Sequence, residues 1–176
     1  AIFKDGTYYT TTFDLSNRYQ GELLKIEKLD VNKVYTALYY DKGVGAFYVK
    51  RFSFDVSDNT PVNFISESKG SYLVALSDDK HPQFEITFGG KHEHREAENV
   101  DAEEFIAKKG LQAKGKKVSA MDVKSVTFIE PIHKPEDDVR QEESEAENQA
   151  GEIDNSDVEE VIDLDVAGED GQLSLF

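Results

Sequence analysis

Five lysines stand close together in a stretch that contains no acidic residue. From Phe105 to Met121 there is no Asp or Glu, although the whole chain has 36 acidic against 20 basic residues. Five ammonium groups within ten residues create a positive field that suits phosphate groups, and the glycines between them let the backbone approach a partner. Three further basic residues extend the predicted phosphate-binding set, which comprises Lys50, Arg51, Lys108, Lys109, Lys114, Lys116, Lys117 and Lys124. The alternative is a solvated loop whose lysines keep a β edge from aggregating.

The remaining polar residues do not predict a catalytic site. His92 and His94 flank Glu93, and such a pair on a strand could bind a metal, but a third ligand is not evident and exposed loop histidines are the simpler interpretation. No Ser/His/Asp order, glycine-rich phosphate loop or pair of carboxylates stands out. We therefore predict no catalytic residue, no metal site and no cofactor in this chain.

Acidic residues are concentrated in one segment of the sequence. Residues 135–176 hold sixteen carboxylates and one Arg, whereas residues 1–134 hold nineteen basic against twenty acidic residues. A segment with that charge and a single aromatic residue cannot bury enough apolar surface to offset the entropy of ordering. The composition predicts a folded domain over 1–134 and a disordered acidic tail over 135–176.

The tail ends in a short apolar peptide. Its residues are Gln172, Leu173, Ser174, Leu175 and Phe176. Three large apolar side chains on an acidic segment would suit a hydrophobic pocket on another protein, and the Gln side chain can donate and accept hydrogen bonds. All five residues resemble the Gln-Leu-Ser/Asp-Leu-Phe peptide with which bacterial replication and repair proteins bind the sliding clamp. The resemblance implies the clamp as a partner, and a merely apolar terminus is the alternative.

Three stretches of the first 134 residues share one layout and predict β-hairpins. They cover residues 2–15, 34–54 and 71–90. Each has a β-branched and aromatic run, a short Asp/Lys/Gly turn and a second such run. Hairpins that repeat every 36 to 38 residues are typical of radial β architectures, in which a four-stranded sheet forms one blade. The pattern predicts an all-β fold of partial-propeller type, with an ordinary meander or sandwich as the alternative.

Two further features concern the ends of this β region. The leading strand of the first hairpin has only three residues where its counterparts have seven, so we expect upstream sequence and a carboxy-terminal fragment. Residues 91–104 are too polar for a core strand and predict a loop or one helical turn that begins at Asp101.

Three segments together resemble a known family. YYDKGVGAFYVKRFSF, FIAKKGLQAKGKKVS and the terminal GEDGQLSLF are similar to the carboxy-terminal part of the A subunit of bacterial type IIA DNA topoisomerases, the gyrase and topoisomerase IV group. The resemblance implies a β-pinwheel, a propeller-like array whose rim binds and bends double-stranded DNA. It also implies an ATP- and Mg²⁺-dependent full enzyme, whose DNA-cleaving tyrosine and contacts with the B subunit belong to upstream domains.

The chain departs from that family in two respects. The Gln-Arg-Arg-Gly-Gly-Lys-Gly box that lets gyrase wrap DNA is absent, and its nearest analogue is QAKGKK at 112–117. A topoisomerase IV-like subunit is therefore the better match. Because residues 1–134 are nearly neutral, we expect DNA binding to be weak and sensitive to salt.

The location that we predict is the bacterial cytoplasm, in association with the nucleoid. No stretch approaches the roughly 18 continuous apolar residues that a membrane span requires. The chain has no cysteine, which fits a reducing compartment.

Overall fold

A computed structural model of the chain describes residues 1–133, and this part is nearly all β. The all-β class predicted from the sequence is confirmed, whereas the predicted disordered tail and the peptide at 172–176 lie outside the described residues. One short helix and one 3₁₀ turn at Gly90–His92 interrupt the strands. The elements are β1 (Ile2–Phe3), β2 (Thr7–Tyr8), β3 (Leu23–Lys25), β4 (Tyr35–Asp41), β5 (Ala46–Phe52), β6 (Val62–Asn63), β7 (Tyr72–Ser77), β8 (Gln83–Phe88), β9 (Glu98–Asp101), α1 (Ala102–Phe105), β10 (Lys116–Lys117) and β11 (Val123–Ile129).

The strands of residues 1–133 form three antiparallel sheets that interlock along the chain. The first sheet has the order β3-β1-β2-β6, the second β10-β5-β4-β7 and the third β11-β8-β9. Strand β6 follows β5 of the second sheet but pairs with β2 of the first, and β10 follows β9 of the third sheet but pairs with β5 of the second. Each of the first two sheets is thus completed by a strand that returns from beyond the next hairpin. The result is an open series of blade-like sheets without a closed barrel, as a partial β-pinwheel requires.

Two of the three predicted hairpins are present, and the prediction of the third is wrong. The chain forms β1–β2, which is shorter than predicted, and β4–β5, in which Tyr39 pairs with Tyr48. In the stretch 71–90, however, β7 pairs with β4 of the second sheet, while β8 pairs with β9 and β11 of the third.

The connection between β7 and β8 carries the chain from one sheet to the next. Asp78, directly after β7, forms ion pairs with Lys25 at 2.5 Å and with Lys33, and hydrogen bonds from these lysines lower the pKa of its carboxyl to about 2. Pro82, just before β8, lacks a backbone N–H for pairing with another strand. Turn-forming residues therefore mark a change of sheet here and not a hairpin.

The second sheet is covered on both faces and separates two hydrophobic cores. Because side chains alternate along a strand, Leu38 and Val49 point to one face and pack with Phe84 and Val126 of the third sheet. The opposite face presents residues such as Phe52 to the core shared with the first sheet. Burial on both faces explains why every position of β4 and β5 is buried or half-buried.

The segment 91–104 contains both the predicted helical turn and a strand that the sequence did not reveal. Asp101 caps α1, as predicted, because its side chain accepts hydrogen bonds from the backbone N–H groups of Glu103 at 2.8 Å and Glu104 at 3.4 Å. Strand β9 ends at this capping residue and pairs with β8 despite its polar sequence. It lies at the edge of its sheet, where backbone pairing needs no apolar side chains on the solvent side.

Candidate nucleic-acid interface

The predicted lysine stretch forms one loop that crosses the edge of the second sheet. We define the lysine loop as residues 106–117, which run from the end of α1 through β10. Ile106 is buried in the core shared with the third sheet, and Leu111 is buried in the core shared with the first. Strand β10 ends the loop as an edge strand, with Lys116 opposite Val49 and Lys117 opposite Tyr48. The loop is therefore fixed at its start, its middle and its end.

Four exposed lysines of the loop have no carboxylate partner within residues 1–133. Lys108, Lys109 and Lys117 are exposed, and no carboxylate of residues 1–133 lies within ion-pair distance of them. The ammonium of Lys116 donates a hydrogen bond to the carbonyl of Phe105 at 3.1 Å and lies 3.9 Å from the centre of the Phe105 ring. Neither contact neutralises its charge, so the loop presents four exposed cations that have no carboxylate partner within residues 1–133.

Two further lysines of the predicted set are paired with carboxylates. Lys114 lies 2.7 Å from Asp41, which is buried, and Lys114 also lies over the ring of Tyr48. Asp41 raises the pKa of Lys114, and the hydrogen bond from Lys114 lowers the pKa of Asp41. Lys124 belongs to β11 of the third sheet and approaches Glu93 at 3.8 Å. Both residues of this pair are largely exposed, so the pair contributes little to stability.

The last two residues of the predicted set, Lys50 and Arg51, are buried. The ammonium of Lys50 donates hydrogen bonds to the carbonyls of Phe64 at 2.7 Å and Leu111 at 2.6 Å, and burial lowers its pKa to about 8. Arg51 is bound to Glu103 at 2.9 Å, and its Nε atom has no hydrogen-bond partner among the described residues. The sequence analysis placed both residues in the phosphate-binding set, but the second sheet, to which they belong, is covered on both faces. We therefore exclude this pair from the candidate interface.

The backbone of the lysine loop is held by strands beneath it. The N–H of Lys109 donates to the carbonyl of Arg51 at 2.8 Å, and the hydroxyl of Tyr39 donates to the carbonyl of Lys114 at 2.5 Å. Burial raises the pKa of Tyr39, so this hydroxyl stays protonated at neutral pH. Gly115 has a φ of +90°, and a Cβ there would lie 2.4 Å from the carbonyl oxygen of Val49. The close approach that we predicted for this glycine is thus to β5, while Gly110 faces open space.

A second surface feature, which the sequence did not predict, is an apolar groove of about 890 Å³ beside the first sheet. The residues that line it include Tyr8, Tyr9, Tyr35, Phe54 and the fully exposed Phe13. No group of three or more His, Asp or Glu side chains within residues 1–133 is placed to hold a metal ion. In the same part of the chain, no helix is long and apolar enough to cross a membrane.

Comparison with known proteins identifies the family. Residues 1–130 match the model of a family described as the topoisomerase C-terminal domain of Bacteroidota. Neither the curated proteins nor the solved structures provided a match. The matched segment covers every sheet described above and includes the whole lysine loop. The chain therefore belongs to this family of topoisomerase carboxy-terminal domains.

Proposed function

We propose that this chain is the DNA-holding region of the A subunit of a topoisomerase IV-like type IIA enzyme. The observation that carries the proposal is the lysine loop, in which Lys108, Lys109, Lys116 and Lys117 stay exposed and free of carboxylate partners within the described residues. An acid-free row of ammonium groups on an ordered edge matches the repeated negative charges of a duplex backbone. The loop holds and bends the DNA segment that the full enzyme passes.

Binding through phosphates alone would be independent of base sequence. The helix of the described region, α1, is a single turn, so the described fold offers no helix of the kind that reads the major groove. Phosphate contacts position a duplex without specifying its sequence. This property suits a domain that must hold whichever DNA segment is present.

The expected affinity is modest and depends strongly on salt. Four phosphate contacts would release condensed counterions, which gives a slope of log affinity against log salt of about −3.6. Lys114 and Lys124 would extend the contact area if phosphates replaced Asp41 and Glu93 as their partners. Residues 1–134 are otherwise nearly neutral, so little long-range attraction adds to these contacts.

The chemistry of strand passage belongs to other parts of the proposed enzyme. The cleaving tyrosine, the B subunit and the ATP and Mg²⁺ requirements are implied by the resemblance, and we derive no step through them. Residues 1–133 offer no cluster of possible metal ligands in which Mg²⁺ would fit. The proposal places the protein in the bacterial cytoplasm, on the nucleoid.

A fourfold charge variant tests the proposal directly. We would change the four exposed loop lysines to Gln and measure binding of the complete chain to a linear duplex over a series of salt concentrations. The matched control changes Lys4, Lys28, Lys69 and Lys91, which are exposed lysines elsewhere on the domain, and removes the same total charge. Loss of binding in the loop variant alone supports the proposal. Equal losses in both variants, or none, would contradict it.

We further propose that the acidic tail regulates this binding. Sixteen carboxylates joined to the same chain compete with DNA phosphates for the lysine loop, and tethering gives them an effective concentration in the roughly millimolar range. Deletion of residues 135–176 should then increase DNA affinity at low salt and have little effect at high salt. An affinity that does not change at low salt would contradict this regulatory role.

The terminal peptide supports a second candidate function, binding to the replication sliding clamp. The supporting observation is the agreement of Gln172 to Phe176 with the clamp-binding peptide at every position. Titration of a peptide of residues 165–176 against purified clamp tests this function, with Leu175→Ala and Phe176→Ala together as the control. The wild-type peptide should bind and the double variant should not. Absence of binding at high micromolar concentration would refute clamp docking and leave the DNA proposal intact.

A further inference from the structure

Lys50 occupies an unusual place for a lysine, inside the domain and directly under the lysine loop. It lies in β5 with only 4% of its surface exposed, and its ammonium also lies 4.9 Å from the centre of the Phe52 ring. Of its two hydrogen-bond acceptors, one is the carbonyl of Leu111 in the middle of the lysine loop. The other is the carbonyl of Phe64, just after β6 of the first sheet.

We propose that Lys50 is a positioning residue, which fixes the lysine loop in the shape that presents its exposed ammonium groups to DNA. This inference rests on the proposed function. It assigns to Lys50 an indirect role in place of the direct phosphate contact that its residue type suggests. A side chain so deeply buried cannot touch a duplex while the domain is folded.

The hydrogen bonds explain why a charged residue is tolerated at this site. Burial of an ammonium is costly unless several good acceptors surround it, and hydrogen bonds from a charged donor are stronger than neutral ones. Here both bonds are short, and they join two segments that are distant in sequence. The loop carbonyl of Leu111 is the end of this network that can affect DNA binding.

Three successive residues of β5 hold three successive parts of the loop. The Arg51 carbonyl accepts from the N–H of Lys109, Lys50 holds Leu111, and Val49 lies against Gly115. Lys50 is the member of this series that acts through its side chain. A substitution can therefore remove its hydrogen bond to the loop without disturbing strand pairing. Loss of this hydrogen bond would release the Leu111 carbonyl in the middle of the loop. The lysines before and after that point would then lose their fixed spacing.

Lys50→Met in the complete chain tests the inference, because it keeps an unbranched stem out to Cε and removes the terminal donor. We expect duplex affinity to fall at least tenfold and the salt slope to weaken by more than the change of about 0.9 expected for one lost phosphate contact. Amide hydrogen exchange should accelerate within the lysine loop and stay unchanged in β8 and β11. Lys69→Met, at an exposed lysine elsewhere, is the matched control.

The outcomes of this experiment are distinguishable. A folded Lys50→Met protein with wild-type duplex affinity and wild-type hydrogen exchange in the loop would overturn the inference. A salt slope that weakens only by the amount expected for one phosphate contact, with hydrogen exchange in the loop unchanged, would overturn it as well. If the Met variant does not fold, Lys50→Gln is measured, because its side chain ends in an uncharged amide and is one bond shorter than that of Lys. Faster loop exchange together with weaker duplex binding supports the inference, and wild-type values of both overturn it. Failure of the fourfold loop variant to lose binding would refute the DNA function itself, whereas the hydrogen-exchange result would still decide whether Lys50 holds the loop.

Discussion

Strand β5 and the lysine loop lie side by side, and both carry basic residues. The basic residues of β5 are buried, whereas those of the loop are exposed. Lys50 and Arg51 of β5 point into the domain and bind carbonyl and carboxylate oxygens there. Lys108 and Lys117 of the loop remain exposed to solvent. The difference shows that the covering of both faces of the second sheet, and not the residue type, decides whether a cation is structural or available to a ligand.

The largest expected effect is on the free energy of unfolding, which should fall on substitution in β5 and hardly change on substitution in the loop. Lys50→Ala leaves the carbonyls of Phe64 and Leu111 without their donor and opens a cavity, so the free energy of unfolding should fall by about 3 kcal/mol. Lys108→Ala should change it by less than about 0.5 kcal/mol, because the side chain that is removed is exposed and has no partner among residues 1–133. Urea denaturation of both variants measures the contrast, and equal effects would abolish the distinction between the regions.

A pair of glycines sharpens the comparison along the loop itself. Gly115→Ala should destabilise the protein by about 2 kcal/mol, since its φ is positive and its new Cβ would collide with the Val49 carbonyl. Gly110→Ala should be neutral or slightly stabilising, because no atom of the described residues lies within 4 Å of the added Cβ. Thermal unfolding of the two variants gives the test. Similar melting temperatures would show that the loop is not seated on β5 as described.

Alkaline titration provides a third test, since the two kinds of lysine differ in pKa. Burial lowers the pKa of Lys50 from its ordinary 10.5 to about 8. Between these values the unfolded chain binds the proton and the folded chain releases it, so the contribution of Lys50 to the unfolding free energy rises with pH, by up to about 1.4 kcal/mol per pH unit. Urea denaturation at pH 7.5 and pH 9.5 should show this increment in the wild type. It should be absent in Lys50→Met, and its persistence there would assign it to another group.

The smallest effect concerns the exposed lysines, which differ in their partners. Lys117→Gln should reduce the salt slope of DNA binding by about 0.9, the contribution of one phosphate contact. Lys124→Gln should reduce it less, because Lys124 must first leave Glu93. Fluorescence anisotropy with a labelled duplex at several salt concentrations resolves the two. A larger change at Lys124 would shift the centre of the interface from the lysine loop to β11.

Much of the fold was predictable because the relevant signals are local. Alternating β-branched and aromatic runs around a short turn define β4 and β5, and Asp101 caps a helical turn through bonds to residues two and three positions ahead. The prediction of the third hairpin was wrong because Asp78 forms its ion pairs with lysines that lie far away in sequence. Strand β9 was missed because its pairing with β8 depends on backbone atoms and leaves no hydrophobic pattern.

For the candidate site, the sequence by itself determined the location of the positive charge and the family to which that pattern belongs. An acid-free run of lysines is a property of composition, and it stays a property of the chain however it folds. Only the tertiary structure decided which cations reach the solvent, because exposure depends on the sheets above and below each strand. Lys50 became an internal donor when three segments distant in sequence met around it, and no local pattern encodes that meeting.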